Sequence, residues 1–206
     1  MNSRILAAAV CFATALGLFA GVSFAQHDHG QMHSMNGMNM SETAKPIVFI
    51  TPFAFKTQLD QVYRSYLSIH AALSSDEFQN SQSNALTLTK SFQEVDMKLL
   101  TDMKAHMAWM ASSEKLSKDA VQIAAAPDIE TARAEFKQAS LDLIAIAKQF
   151  RTSGKNPLYV FHCPMAFKNK GADWVQDEKT VKNPYFGNSM LACGKITDII
   201  GAKSGK

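Results

Sequence analysis

Two short segments near the end of the chain hold the side chains best suited to chemistry. The stretch Y-V-F-H-C-P-M-A supplies His162, Cys163 and Met165, and N-P-Y-F-G-N-S-M-L-A-C-G adds Met190 and Cys193. Together they offer two thiols, two thioethers and an imidazole. Thiolate and thioether sulfurs are soft ligands that select Cu(I) over magnesium, calcium or manganese. Zinc favours Cys and His at paired short spacings, and a thioether serves it poorly. Pro164 lacks a backbone donor and stiffens the chain between Cys163 and Met165, which helps hold two sulfurs on one side of a turn. A competing reading needs no metal: Cys163 and Cys193 form a disulfide, with Met165 and Met190 in the core beneath it. Such a staple would contribute ~3 to 4 kcal/mol on the chain-entropy model. A third reading joins the two, with redox state gating metal capture.

A second set lies near the other end. Residues 26–44 are low in complexity and hold His27, His29 and His33 with Met32, Met35, Met38 and Met40. Histidine binds Cu(II) and Cu(I), while methionine prefers Cu(I) and survives where thiols oxidise. The segment lacks the apolar residues of a core, so a flexible tail suited to weak capture of Cu(I), Ag(I) or Cu(II) is expected. The plain alternative is a solvated linker.

A third set is Met103, His106, Met107 and Met110, at helical spacing. Methionine at such spacing is usually core filler, and that is the expectation here. His70 reads as structural or exposed, and Trp174 as a packing residue. Enzyme signatures are missing: the chain has no C-x-x-C, C-x-x-C-H, H-E-x-x-H or G-x-S-x-G, and no phosphate-binding glycine loop. A binding protein, not an enzyme, is expected.

These residues need a scaffold, and composition bounds it. The 206 residues carry Lys+Arg 21 against Asp+Glu 18, and 47% are apolar. That describes one folded domain with a tail, and it argues against a nucleic-acid partner, which would call for a basic face. Residues 1–25 place Arg4 before an apolar run and end in Ser23-Phe24-Ala25, the layout of a secretory signal cleaved after Ala25. A periplasmic product without stable membrane insertion is expected. In an oxidising compartment the two remaining cysteines most often pair, so metal binding has to compete with a disulfide.

Four amphipathic stripes follow. Phe55, Leu59, Val62, Tyr66 and Leu73 mark the first; Phe78, Ala85, Leu88, Phe92, Val95 and Leu99 mark the second, with Asp76 as its expected cap. The third covers residues 103–125, with Trp109, Leu116, Ala120 and Ile123 on one face, and Pro127 ends it. Asp128 should cap the fourth, which carries Ile129, Ala132, Phe136, Ala139, Leu143, Ile146 and Phe150. Stripes of period 3.6 joined by short polar links predict an all-α, antiparallel up-down four-helix bundle. The domain should run over residues 45–200. Its last part, about 152–200, has little helical period and reads as an irregular arm with room for short strands.

F-H-C-P-M-A, A-D-W, N-P-Y-F-G-N-S-M-L-A-C-G and R-A-E-F-K-Q-A-S resemble the family called domain of unknown function 3347 over roughly residues 55–196. That family occurs alone in exported bacterial proteins and appended to periplasmic adaptor subunits of copper and silver efflux pumps. The resemblance implies a helical bundle whose Cys-Pro-Met and Met-x-x-Cys-Gly motifs meet, with metal handling as its role and an efflux system or another periplasmic copper carrier as partner. Cys163, Met165, Met190 and Cys193 are then the expected primary ligands, with His162 as an outer or alternative one. The core Cys-Pro-Met is also similar to a short heavy-metal-binding module reading Y-x-C-P-M-H-P, from which this chain departs at Ala166 and Phe167.

Overall fold

The computed structural model describes residues 47–154 and 157–201. Four long helices come first: α1 (Phe53–Ser74), α2 (Phe78–Gln93), α3 (Met103–Ala125) and α4 (Ile129–Phe150). Each stripe read from the sequence faces the core, although Phe78, Phe92, Leu99 and Ile129 are only partly buried and α2 ends before Val95 and Leu99. On α1, Phe55, Leu59, Val62, Tyr66, Ile69 and Leu73 are all fully enclosed. Successive helices pack on one another, α1 on α2, α2 on α3 and α3 on α4. Phe55, Trp109 and Phe150 meet edge-on or tilted at centroid distances of 5.3 to 5.7 Å and lock α1, α3 and α4 at one place. Burying a side chain of that size stabilises a fold by roughly 1.5–3 kcal/mol.

Helix ends follow from local chemistry. Asp102 accepts from the Lys104 and Ala105 amides at the start of α3, and Asp128 accepts from Thr131 N at 2.7 Å to cap α4 as expected. Pro127 forces Ala126 into an extended conformation, φ −59 and ψ 137, which stops α3. Asp76 differs from expectation. It does not cap α2; it ends α1 in the left-handed conformation, φ 60, with the Glu77 amide bonded to Ala72 O. Its carboxylate is then free to take Arg133 and the Asn188 amide.

The expectation of an all-α fold is corrected after α4. The arm is an antiparallel sheet of three strands, β1 (Leu158–Cys163), β2 (Ala172–Gln176) and β3 (Lys195–Ile200), in the order β2-β1-β3. Short strands rich in Val, Phe, Tyr and Trp fit a half-buried pleated surface, and antiparallel neighbours need only turns between them. Phe161 pairs with Trp174 across β1 and β2, and their rings stack at 5.3 Å. The sheet is tied to the helices through Tyr66, whose hydroxyl lies 2.7 Å from Ser140 Oγ on α4 and accepts from Val175 N on β2.

Candidate metal centre

Cys163 is the last residue of β1, and its side chain is fully buried. Cys193 comes from the turn before β3, and its sulfur lies 2.7 Å from that of Cys163 across 30 residues of sequence. Both are free cysteines. The motifs that looked promising by residue type therefore do converge.

The second cysteine is placed by a compact loop built around Asn183. This side chain is fully buried; its Nδ2 donates to Cys193 O at 2.7 Å, and its Oδ1 accepts from the Tyr185 and Phe186 amides. Its own backbone amide bonds to Leu191 O at 2.9 Å, and Cys193 N bonds to Met190 O at 3.1 Å. Gly194 follows in a left-handed conformation against the Trp174 ring, where an added Cβ would lie 2.5 Å from a ring carbon. Only glycine fits there. Asn183 escaped the sequence reading, although an Asn-Pro pair signals a turn whose asparagine bonds its own loop.

The first cysteine is followed by strained backbone. Phe167, Lys168 and Asn169 all have positive φ, at 52, 59 and 64. A left-handed conformation costs about 1–2 kcal/mol for each such residue. The segment is held by Gly171 N bonding to Ala166 O, by the Phe167 ring 5.3 Å from Tyr185, and by Lys137 over that ring. Strain of this kind concentrates at functional sites. It leaves Met165 turned outward at 46% exposure.

The thiols are coupled. The hydrogen bond with Cys163, with burial second, pushes the Cys193 thiol up to about 11; the Met165 amide partly opposes this. Two thiolates in contact repel, which favours the protonated form of Cys193 until a cation or an oxidant takes the proton's place.

The remaining expected ligands fall elsewhere. Met190 is half-buried at the start of the turn that ends in Cys193, so neither it nor Met165 fills the core as the staple reading had it. His162 precedes Cys163 on a strand, and alternation sends its side chain to the other face of the sheet. There it pairs with Asp173, Nδ1 donating to Oδ1 at 2.6 Å, with its ring against Gly171. His27, His29, Met32, His33, Met35, Met38 and Met40 lie outside the described residues. Met103, Met107 and Met110 are 71%, 57% and 43% exposed, which corrects their expected place in the core. Their face of α3 looks outward while Ala105 and Trp109 face inward. His70 is buried and structural, Nε2 donating to Lys182 O at 2.8 Å.

Among the described residues, no three His, Cys, Asp or Glu side chains gather into a metal-holding group. No helix among the described residues is long and apolar enough to cross a membrane.

Residues 62–155 match the family model described as Protein of unknown function (DUF3347). The match runs from within α1 to just past α4 and includes R-A-E-F-K-Q-A-S. The sheet and both cysteine motifs lie beyond it. No curated protein and no solved structure matches the chain.

Proposed function

We propose that the protein, whose residues 62–155 match the DUF3347 family model, binds a soft monovalent cation, Cu(I) foremost, and sequesters it or hands it on. One observation carries the reading: the sulfurs of Cys163 and Cys193 meet at 2.7 Å beside the two methionine-bearing turns, and among the described residues no His, Asp or Glu joins them into a larger metal-holding group. Two thiolates make an anionic site that suits a single-charged soft ion, with Met165 and Met190 as neutral further ligands. The full burial of Cys163 would slow its oxidation. His162, bound to Asp173, serves as an orienting neighbour and not as a ligand.

In this reading the protein is not an enzyme. Its first 25 residues export it to the periplasm, and the His/Met tail captures Cu(I), Ag(I) or Cu(II) weakly for transfer. The four helices form an up-down bundle, and an efflux system or another copper carrier receives the ion. The test is a competitive Cu(I) titration of the reduced protein against a chromogenic chelator. Cys163→Ser and Cys193→Ser should each abolish tight binding, and unchanged affinity in both would overturn the assignment.

The same 2.7 Å approach favours a second reading, a disulfide-stapled interaction module with no metal at the pair. Counting reactive thiols after aerobic purification separates the two: two thiols support the cation site, none supports the staple.

A further inference from the structure

Methionine is the chain's unusual residue, with 11 in the sequence. It is ordinarily core material. Yet among the described residues no methionine stands in the buried core: Met97, Met103, Met107, Met110 and Met165 are exposed by 39% or more, and Met190 is half-buried. The core is built from Leu, Ile, Val, Phe, Trp, Tyr and Ala. Surface placement of every described thioether calls for a use outside the core.

Three of these thioethers share one depression far in sequence from the cysteine pair. A groove of about 510 Å³ between the end of α2 and the first half of α3 is lined by Phe92, Met97, Met107, Met110, Ser113 and Glu114, among others. Met107 and Met110 are neighbours on α3, one turn apart on the same face. Met97 comes from the 3-10 turn Met97–Leu99 that leads into that helix. Each side chain has three rotatable bonds and no charge to repel its neighbour, so the sulfurs can converge on one ion. The lining includes one carboxylate, Glu114, and no lysine or arginine. A cation entering there meets soft donors and a favourable field.

From this arrangement we infer that the Met97–Met107–Met110 groove is a second binding site, made of thioethers alone, for a soft monovalent cation such as Cu(I) or Ag(I). It goes beyond the cysteine-pair reading and does not depend on it. Thioether sulfur carries no proton, so the donors here stay available in acid, where thiols and imidazoles lose their ligand power to protonation, while Glu114 in the lining and His106 beside Met107 are the ionisable groups at hand. Sequence spacing alone left Met107 and Met110 as core, and Met97 outside the pattern; exposure and the shared groove reverse that.

The test is an Ag(I) titration of the full chain labelled with ¹³C at the methionine methyl groups, each resonance assigned by Met→Leu substitution. The expected result is that the Met97, Met107 and Met110 methyls shift together, saturate together, and still do so at about pH 5 as well as at about pH 8. Met107→Leu, a volume-conserving change on the surface, should abolish the response of the Met97 and Met110 methyls. Methyls that stay unmoved while others in the chain respond, or that respond unchanged in Met107→Leu, would overturn the site. The Met165 and Met190 methyls in the same spectra report the cysteine pair separately. Failure there with response in the groove removes the proposed function and leaves this site standing, and the reverse pattern does the opposite.

Discussion

His70 Nε2 donates to the carbonyl oxygen of Lys182 at 2.8 Å, joining α1 to the loop that delivers Cys193 across 112 residues of sequence. The Ser74 hydroxyl shares the same carbonyl at 3.2 Å. A carbonyl only accepts, so Nε2 is the donor in this bond, and it is burial that disfavours a charged ring. Burial lowers its pKa to about 4 from an ordinary 6.5, with the bond to Lys182 O opposing the shift.

Acid should therefore loosen the loop. The folded state keeps His70 neutral down to about pH 4, while the unfolded chain takes up a proton below its ordinary value of 6.5. Stability from this group is fully present above that value and is lost as pH falls toward the folded pKa, roughly 3 kcal/mol in all. Denaturant titrations at a series of pH values should show the loss, and His70→Gln should remove this dependence. A wild-type profile that keeps the same slope in the variant would reject His70 as its source.

The thiol pair makes its own prediction about reactivity. A Cys193 thiol near 11 holds little thiolate at neutral pH, so the reduced protein should alkylate slowly there. Its largest cause is the hydrogen bond with Cys163, so Cys163→Ala should accelerate alkylation of Cys193 by about tenfold or more at pH 8. Mass spectrometry after timed quenching measures both rates. Equal rates would mean that the two sulfurs do not meet in solution.

Asn183 is the loop's hub, and its loss should be felt at the site. Asn183→Ala leaves the Cys193 carbonyl and the Tyr185 amide without partners in a buried place, at a cost of about 1–3 kcal/mol for each unsatisfied group. We expect a lower denaturation midpoint and a weaker Cu(I) competition, although Asn183 supplies no ligand. Lowered stability with unaltered Cu(I) affinity would show that the loop's order does not set the site.

How legible was all this in the sequence? Helices reveal themselves through repetition, and Phe136, Ala139, Leu143 and Ile146 announced α4 because each adds to one buried face. The sheet did not, because β1 runs Leu158, Tyr159, Val160, Phe161 buried on both faces and shows no alternation. The pairing of Cys163 with Cys193 was legible as a possibility from residue type alone, but which face His162 takes depends on strand register. Exposure of Met103, Met107 and Met110 was hidden for a different reason. They lie on the same helix as the buried face of Ala105 and Trp109, and a thioether at helical spacing reads as core whichever way it points. Asp76 was misplaced because an aspartate two residues before a helix looks like a cap, whereas its left-handed φ and the Arg133 guanidinium at 2.5 Å give it another task.

Asp119 on α3 runs against His70. Burial first, and then the Asp142 carboxyl beside it, raise its pKa to about 7 from 3.8. One of its oxygens is buried without a partner. The folded state thus holds a proton that the unfolded chain releases near its ordinary value, so stability from this group is greatest in acid and falls as pH rises from about 4 to about 7. Asp119 is only half-buried, and solvent screening reduces the effect to about 1 kcal/mol. Over the window that His70 and Asp119 share the two slopes oppose each other, and the wild-type profile should be flatter than either alone. Asp119→Asn removes the carboxylate repulsion without a change of shape, so it should stabilise the protein at neutral pH and expose the full acid sensitivity of His70. The two variants and their combination, unfolded by denaturant at pH 5 and pH 7.5, decide the matter. The groups lie on different parts of the fold, so their effects should add, and an Asp119→Asn profile no steeper than wild type would refute the raised carboxyl.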